Sequence, residues 1–197
     1  MSPLIIFSSS LVALATLINV IGILRGTAKP HRTTFFIFTL INAIAFASLF
    51  AQHDRVAIYL ALFNGISSLT IFLFSIKYGM GGWAPLDITC MIIALAGIAL
   101  WKFTSSPVLA LYSSLFANVV CLIPTIKKIY FHPETEIWGF WLMAFVSCGT
   151  NLFAIKNWTF NAAIFPLYLT IANFLTLLLV IRPHQTSRLI QRSKYVK

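Results

Sequence analysis

The chain has 197 residues, 59% hydrophobic and only 9% charged, with 14 Lys and Arg against four acids and a net charge of +10. An ordinary soluble domain has about 25% charged residues and an apolar share near 45–50%, and a disordered chain is poor in apolar residues, so both are excluded. A helical membrane protein remains: at roughly 20 apolar residues per span, seven spans take up most of the chain and leave no room for a separate soluble domain.

Seven segments meet that length: Leu4–Leu24, Thr33–Gln52, Ala57–Ile76, Trp83–Trp101, Pro107–Ile126, Ile137–Ile155 and Phe160–Ile181. Lipid-exposed backbone must satisfy its own hydrogen bonds, so all are read as helices. The first lacks the basic leader of a cleaved signal and is expected to be retained. It ends in Gly22-xxx-Gly26, a spacing that lets a helix pack closely on a neighbour. After the third segment, Gly79-Met80-Gly81-Gly82 lacks the Lys-Ser/Thr of a phosphate loop and reads as a flexible hinge. Pro124 and Pro166 fall inside the fifth and seventh segments and free backbone groups there. The basic tail, 183–197, is expected along anionic lipid.

Lys and Arg alternate between the connections. One side receives Arg25, Lys29, Arg32, Lys77, Lys127, Lys128 and the tail; the other receives Arg55, Lys102 and Lys156. That bias predicts a cytoplasmic C-terminus and an outer N-terminus in a plasma or inner membrane. It also makes the positive charge membrane-flanking, so no nucleic-acid partner is expected. Trp83, Trp101, Trp138, Trp158 and Tyr78 lie at span ends, where amphipathic rings sit at the interface. Cys90, Cys121 and Cys148 fall singly inside spans and read as small apolar fillers. The sequon Asn157-Trp158-Thr159 lies almost against the membrane and is read as chance.

The predicted spans contain no Lys, Arg, His or Glu. Buried ionisable groups mark proton relays, ion paths and chromophore counter-ions, and an intramembrane metallohydrolase needs converging His and acidic ligands. The four histidines fall in loops or the tail, so neither an enzyme nor a metal or other cofactor is expected. The spans hold amides instead, among them Asn19, Asn42, Asn64, Asn118, Asn151 and Asn173, so that every segment except the fourth has at least one asparagine. Amides offer donors and acceptors without charge, which suits a neutral polar solute in a shared cavity. The bland alternative is interhelical glue worth about 0.6 kcal/mol each. Asn64, Asn173 and Asn42 are the first candidates for a binding pocket, with Asn151 and Ser67 next; Phe63, Phe174 and Trp141 are candidate apolar walls.

The chain also carries a weak repeat. Residues 14–78 and 115–181 each read helix, basic loop with a Pro, helix, tight turn, helix, and the fourth segment belongs to neither. One extra crossing gives both triplets the same direction. The fold expected is therefore an all-α membrane protein of seven transmembrane helices in a 3-1-3 arrangement, two parallel three-helix bundles joined by a linker helix. The units are 1–78, a linker helix at 79–106, 107–182 and the tail at 183–197. Within the second unit, Pro124-Thr125, Lys128-Ile129 and Thr135-Glu136 fall at the spacing of the cytoplasmic motif of the SWEET sugar transporters and the wider PQ-loop group, which the chain resembles. Asn64-Gly65 and Asn173 resemble that family's pocket asparagines. The first repeat has Ile21 and Thr33 where the motif has Pro and Glu, and no Pro-Gln occurs.

The resemblance implies a facilitator for a small neutral polar solute such as a sugar, working by alternating access. Pro124 and Pro166 would act as hinges, and Glu136 paired with Lys127 or Lys128 as a gating latch. The partners are then that solute and the lipid bilayer, with a homo-oligomer left open. The second expectation is a non-transporting receptor or assembly partner of the same architecture.

Overall fold

A computed structural model describes residues 2–81, 84–104 and 106–182. Gly82, Trp83 and the basic tail lie outside these, as do the side chains of Asp87, Cys90, Trp101 and Lys102. The described chain is all helical, with seven α-helices: α1 (Pro3–Leu24), α2 (Arg32–Ala51), α3 (Ala57–Tyr78), α4 (Pro85–Thr104), α5 (Pro107–Phe131), α6 (Trp138–Phe153) and α7 (Phe160–Ile181). Five of them (α1, α2, α3, α5 and α7) are long and apolar enough to cross a membrane. At 16 residues, α6 is shorter than its predicted segment.

Local chemistry sets the helix starts. Ser2 and Ser106 accept from Ile5 N–H and Leu109 N–H, each followed by a proline at the first helical position, where its missing N–H costs nothing. Thr159, the third residue of the sequon, caps α7 by accepting from Ala162 N–H. The Asp54 carboxylate accepts from Val56 and Ala57 N–H at 2.8 and 2.7 Å, satisfying two orphan donors at the start of α3.

The helix packing has a regularity. In the first half α3 lies between α1 and α2, and in the second α7 lies between α5 and α6. Across the halves α2 packs on α5, α1 on α6, and α3 touches α7. Exchanging α1, α2 and α3 for α5, α6 and α7 maps these contacts onto themselves. α4 lies outside this set, against α5 and α2.

Two large apolar clusters fill most of the interior, with a smaller third of Ile37, Ile41, Ala117 and Cys121 between α2 and α5. One, around Leu49, Leu60, Leu111 and Phe165, lies toward the α2–α3 and α6–α7 turns. The other, around Ile23, Phe35, Ile71, Ile129 and Trp141, lies toward the connections that carry most of the basic residues, here the basic end. Between α1 and α6, Ser8 and Ser147 are both buried, and each hydroxyl meets the other's backbone carbonyl.

Two expectations need correcting at the basic end. The predicted fifth span stops at Ile126, yet α5 runs on through Lys127 and Lys128 to Phe131, where Pro133 and a single 3-10 turn (Pro133–Thr135) end it. Nor is Gly79–Gly81 a free hinge. Met80 N–H donates to Pro30 C=O, Arg32 N–H donates to Met80 C=O, and the Arg32 guanidinium donates to the Ser75 and Gly79 carbonyls. Gly81 has φ +75°, and a Cβ there would sit 2.2 Å from the His31 ring, so its backbone and its bareness are both required.

Candidate binding chamber

Asn42 on α2, Asn64 on α3, Asn118 on α5 and Asn173 on α7 line one internal cavity of about 60 Å³, together with Ser67, Ser68 and Thr176. Phe35, Phe38, Phe140 and Trp141 close it toward the basic end, and Leu122, Leu169, Ala144 and Ala172 complete the wall. Helical spacing explains the grouping: Ser67 and Ser68 follow Asn64 by three and four residues, and Thr176 follows Asn173 by three, so each set shares a face.

The amides are held by their own helices. Asn42, Asn64 and Asn173 donate through Nδ2 to the carbonyls of Phe38, Leu60 and Leu169, at 2.8, 2.9 and 2.7 Å. Only nitrogen can meet a carbonyl oxygen in this way, so the chemistry fixes each amide's orientation. The oxygen of Asn118 accepts from Tyr168 O–H at 3.0 Å. Ser67 is joined to Thr16 at 2.6 Å, which ties α1 to the wall.

Of the predicted pocket residues, Asn64, Asn173, Asn42 and Ser67 therefore meet, whereas Asn151 does not join them. It is buried at the far end of α6, where Nδ2 reaches Val56 C=O at 3.5 Å and Oδ1 has no partner. Asn19 is likewise buried outside the cavity with an unpartnered oxygen. The amide pattern thus brings four asparagines together, not six. Among the candidate walls, Trp141 lines the cavity; Phe63 is not in its lining, and Phe174 is 41% exposed and packs on Phe145.

Of the two pairings expected for Glu136, the one with Lys128 is present, and it is buried. Lys128 Nζ lies 2.5 Å from Glu136 Oε1, with the two side chains only 4% and 3% exposed. Lys128 also donates to the Lys29 carbonyl, and Trp141 Nε1–H donates to Glu136 Oε2 at 3.1 Å. The pair thus links the cavity wall to the α1–α2 connection. That connection is held from both sides, because Lys29 N–H donates to Thr135 C=O at 3.0 Å. Beside it, α1 meets the start of α6 so closely that a Cβ on Gly22 would lie 2.0 Å from Ile137 Cδ1. Lys127 is exposed and outside the pair. Pro124 and Pro166 are buried inside helices assigned without a break, and Thr170 O–H donates to Pro166 C=O.

At the opposite end a larger basin of about 570 Å³ is bordered by Ser2, Asp54, Arg55, Tyr59, Lys156 and Asn157. Among the described residues, no group of three or more His, Cys, Asp and Glu side chains is placed to hold a metal ion. Compared with protein-family models, curated proteins and solved structures, the chain matches none.

Proposed function

We propose that this protein is a membrane carrier that moves a small neutral polar solute by alternating access, with the amide-lined chamber as its binding site. The observation that carries the reading is the convergence of Asn42, Asn64, Asn118 and Asn173, from four helices, on one uncharged cavity. Stripping water from a polar solute costs several kcal/mol unless its hydrogen bonds are replaced, and these amides supply replacements without the desolvation cost of a charge. All seven helices cross the membrane in a 3-1-3 arrangement, with the basic end in the cytoplasm. The self-mapping helix contacts and the charge bias between the two ends support that arrangement, and it is the arrangement that the SWEET and PQ-loop resemblance implies.

A cavity of about 60 Å³ is far smaller than the ~300–1,000 Å³ of a typical ligand pocket. The chamber described is therefore narrow, and a solute as large as a sugar enters only after it widens at one end. At the cytoplasmic end, opening separates the contacts that cross between the triplets: Lys128 with the Lys29 carbonyl, Lys29 N–H with Thr135, and Gly22 with Ile137. The Lys128–Glu136 pair lies within the second triplet and survives the motion. The outer basin then serves as the entrance at the other end.

The test is uptake by proteoliposomes of a panel of neutral solutes, comparing the native chain with an Asn64→Ala, Asn173→Ala double variant that still folds. Saturable uptake lost in the variant supports the carrier. No uptake of any solute, joined to a stoichiometric crosslinked partner in native membranes, replaces it with the receptor reading.

A further inference from the structure

Most Lys and Arg fall at the basic end, and only Arg55, Lys102 and Lys156 fall at the other. Two of those three, Arg55 and Lys156, line the same basin of about 570 Å³, a volume within the ~300–1,000 Å³ of ligand sites. They come from different triplets, Arg55 from the α2–α3 turn and Lys156 from the α6–α7 turn. Both turns are fixed. His53 and Asp54 N–H donate to the Phe50 and Leu49 carbonyls, and Ala154 and Ile155 N–H donate to those of Asn151 and Leu152. Asn151 Nδ2 on α6 reaches Val56 C=O across the triplets at 3.5 Å. Among the described residues, neither cation is in an ion pair. Asp54, the one carboxylate among the described lining residues, is turned to the start of α3, where Oδ1 accepts from Val56 and Ala57 N–H. The positive end of that helix offsets its charge. His53, Tyr59 and Asn157 add neutral N–H and O–H donors to the rim.

We infer that this basin is an oxyanion site of the phosphate class, with Arg55 and Lys156 meeting the ligand from the two triplets. A guanidinium takes two phosphate oxygens in a bidentate fork, and an ammonium takes a third as a point charge. A phosphomonoester carries about −1.5 to −2 charge at pH 7 and answers both cations, whereas a carboxylate leaves one unmatched. Bases placed only to flank the bilayer need not share a cavity, and these two do. Inorganic phosphate and the monoester headgroup of phosphatidic acid both carry the chemistry. The site stands apart from the chamber and does not depend on transport.

Titration calorimetry of inorganic phosphate into the purified full-length chain, in phosphatidylcholine nanodiscs at constant ionic strength, tests this. Saturable binding is expected. It should weaken about tenfold or more in Arg55→Gln and in Lys156→Gln, the loss of one charge-assisted hydrogen bond. It should be unchanged in Lys127→Gln, an exposed base at the opposite end. All three side chains are exposed, so the variants keep the fold. Doping the nanodiscs with phosphatidic acid separates the two sources. Competition that abolishes phosphate binding assigns the site to a lipid headgroup, and undiminished binding assigns it to a free anion. No saturable binding of phosphate, or binding weakened no more by Arg55→Gln and Lys156→Gln than by Lys127→Gln, overturns the inference.

Discussion

Replacing Glu136 by Gln removes the counter-charge of Lys128 while keeping the shape of the side chain. With both partners at least nineteen-twentieths buried and 2.5 Å apart, Lys128 is left as an uncompensated buried cation, a change that costs about 3–5 kcal/mol. An exposed pair in the same place would cost under about 1 kcal/mol, so the two environments are separable by measurement. Lys128→Met is expected to cost a similar amount by stranding the carboxylate. Combining Lys128→Met with Glu136→Leu removes both charges and recovers most of the loss. A residue of about 1–3 kcal/mol remains for each polar group left without a partner, namely the Trp141 N–H and the Lys29 carbonyl. The assay is reversible unfolding in mixed micelles with SDS, with His132→Gln as a control because that side chain is 57% exposed. Single variants that each cost less than 1 kcal/mol, or a double variant worse than the sum of the singles, would refute the buried-pair reasoning.

Further expectations use the same unfolding assay. Gly81→Ala should cost more than Gly26→Ala. Both residues have positive φ, +75° and +74°, but only at Gly81 does the new Cβ run into a side chain, the His31 ring; equal costs would show that the ring yields. Gly22→Ala should destabilise by about 1–3 kcal/mol as Ile137 is displaced, and Ile137→Ala in the same chain should restore much of it. Asp54→Ala should cost about 0.5–2 kcal/mol through loss of the α3 cap, and Asp54→Asn much less. The Cys121 and Cys148 thiols are buried, so both should resist thiol reagents until the chain unfolds; prompt labelling of either would contradict the packing.

Helix number and most helix ends were legible because 20-residue apolar runs are local signals. The extension of α5 was not. Pro124 and the Lys127-Lys128 pair look like a helix end and a solvated loop, and only the partner at Glu136 with the Lys29 carbonyl shows that the helix continues and buries Lys128. Asn42, Asn64 and Asn173 were visible as chamber residues, while Asn151 was misplaced and Ser68 and Thr176 were passed over. A helix apolar on every side gives no periodic contrast between lipid and protein, so sequence spacing alone does not say which way Asn151 faces. Ser68 and Thr176 were nonetheless within reach, one turn from an asparagine already chosen.

Alternating access is tested most directly by a single reporter thiol in the chamber, Ser67→Cys in a chain whose own three cysteines are replaced. In oriented proteoliposomes a membrane-impermeant thiol reagent is applied from one face and then, separately, from the other. The carrier account predicts slow labelling from both faces, because each end opens in turn onto the same chamber. Labelling from one face only, or from neither, would contradict it.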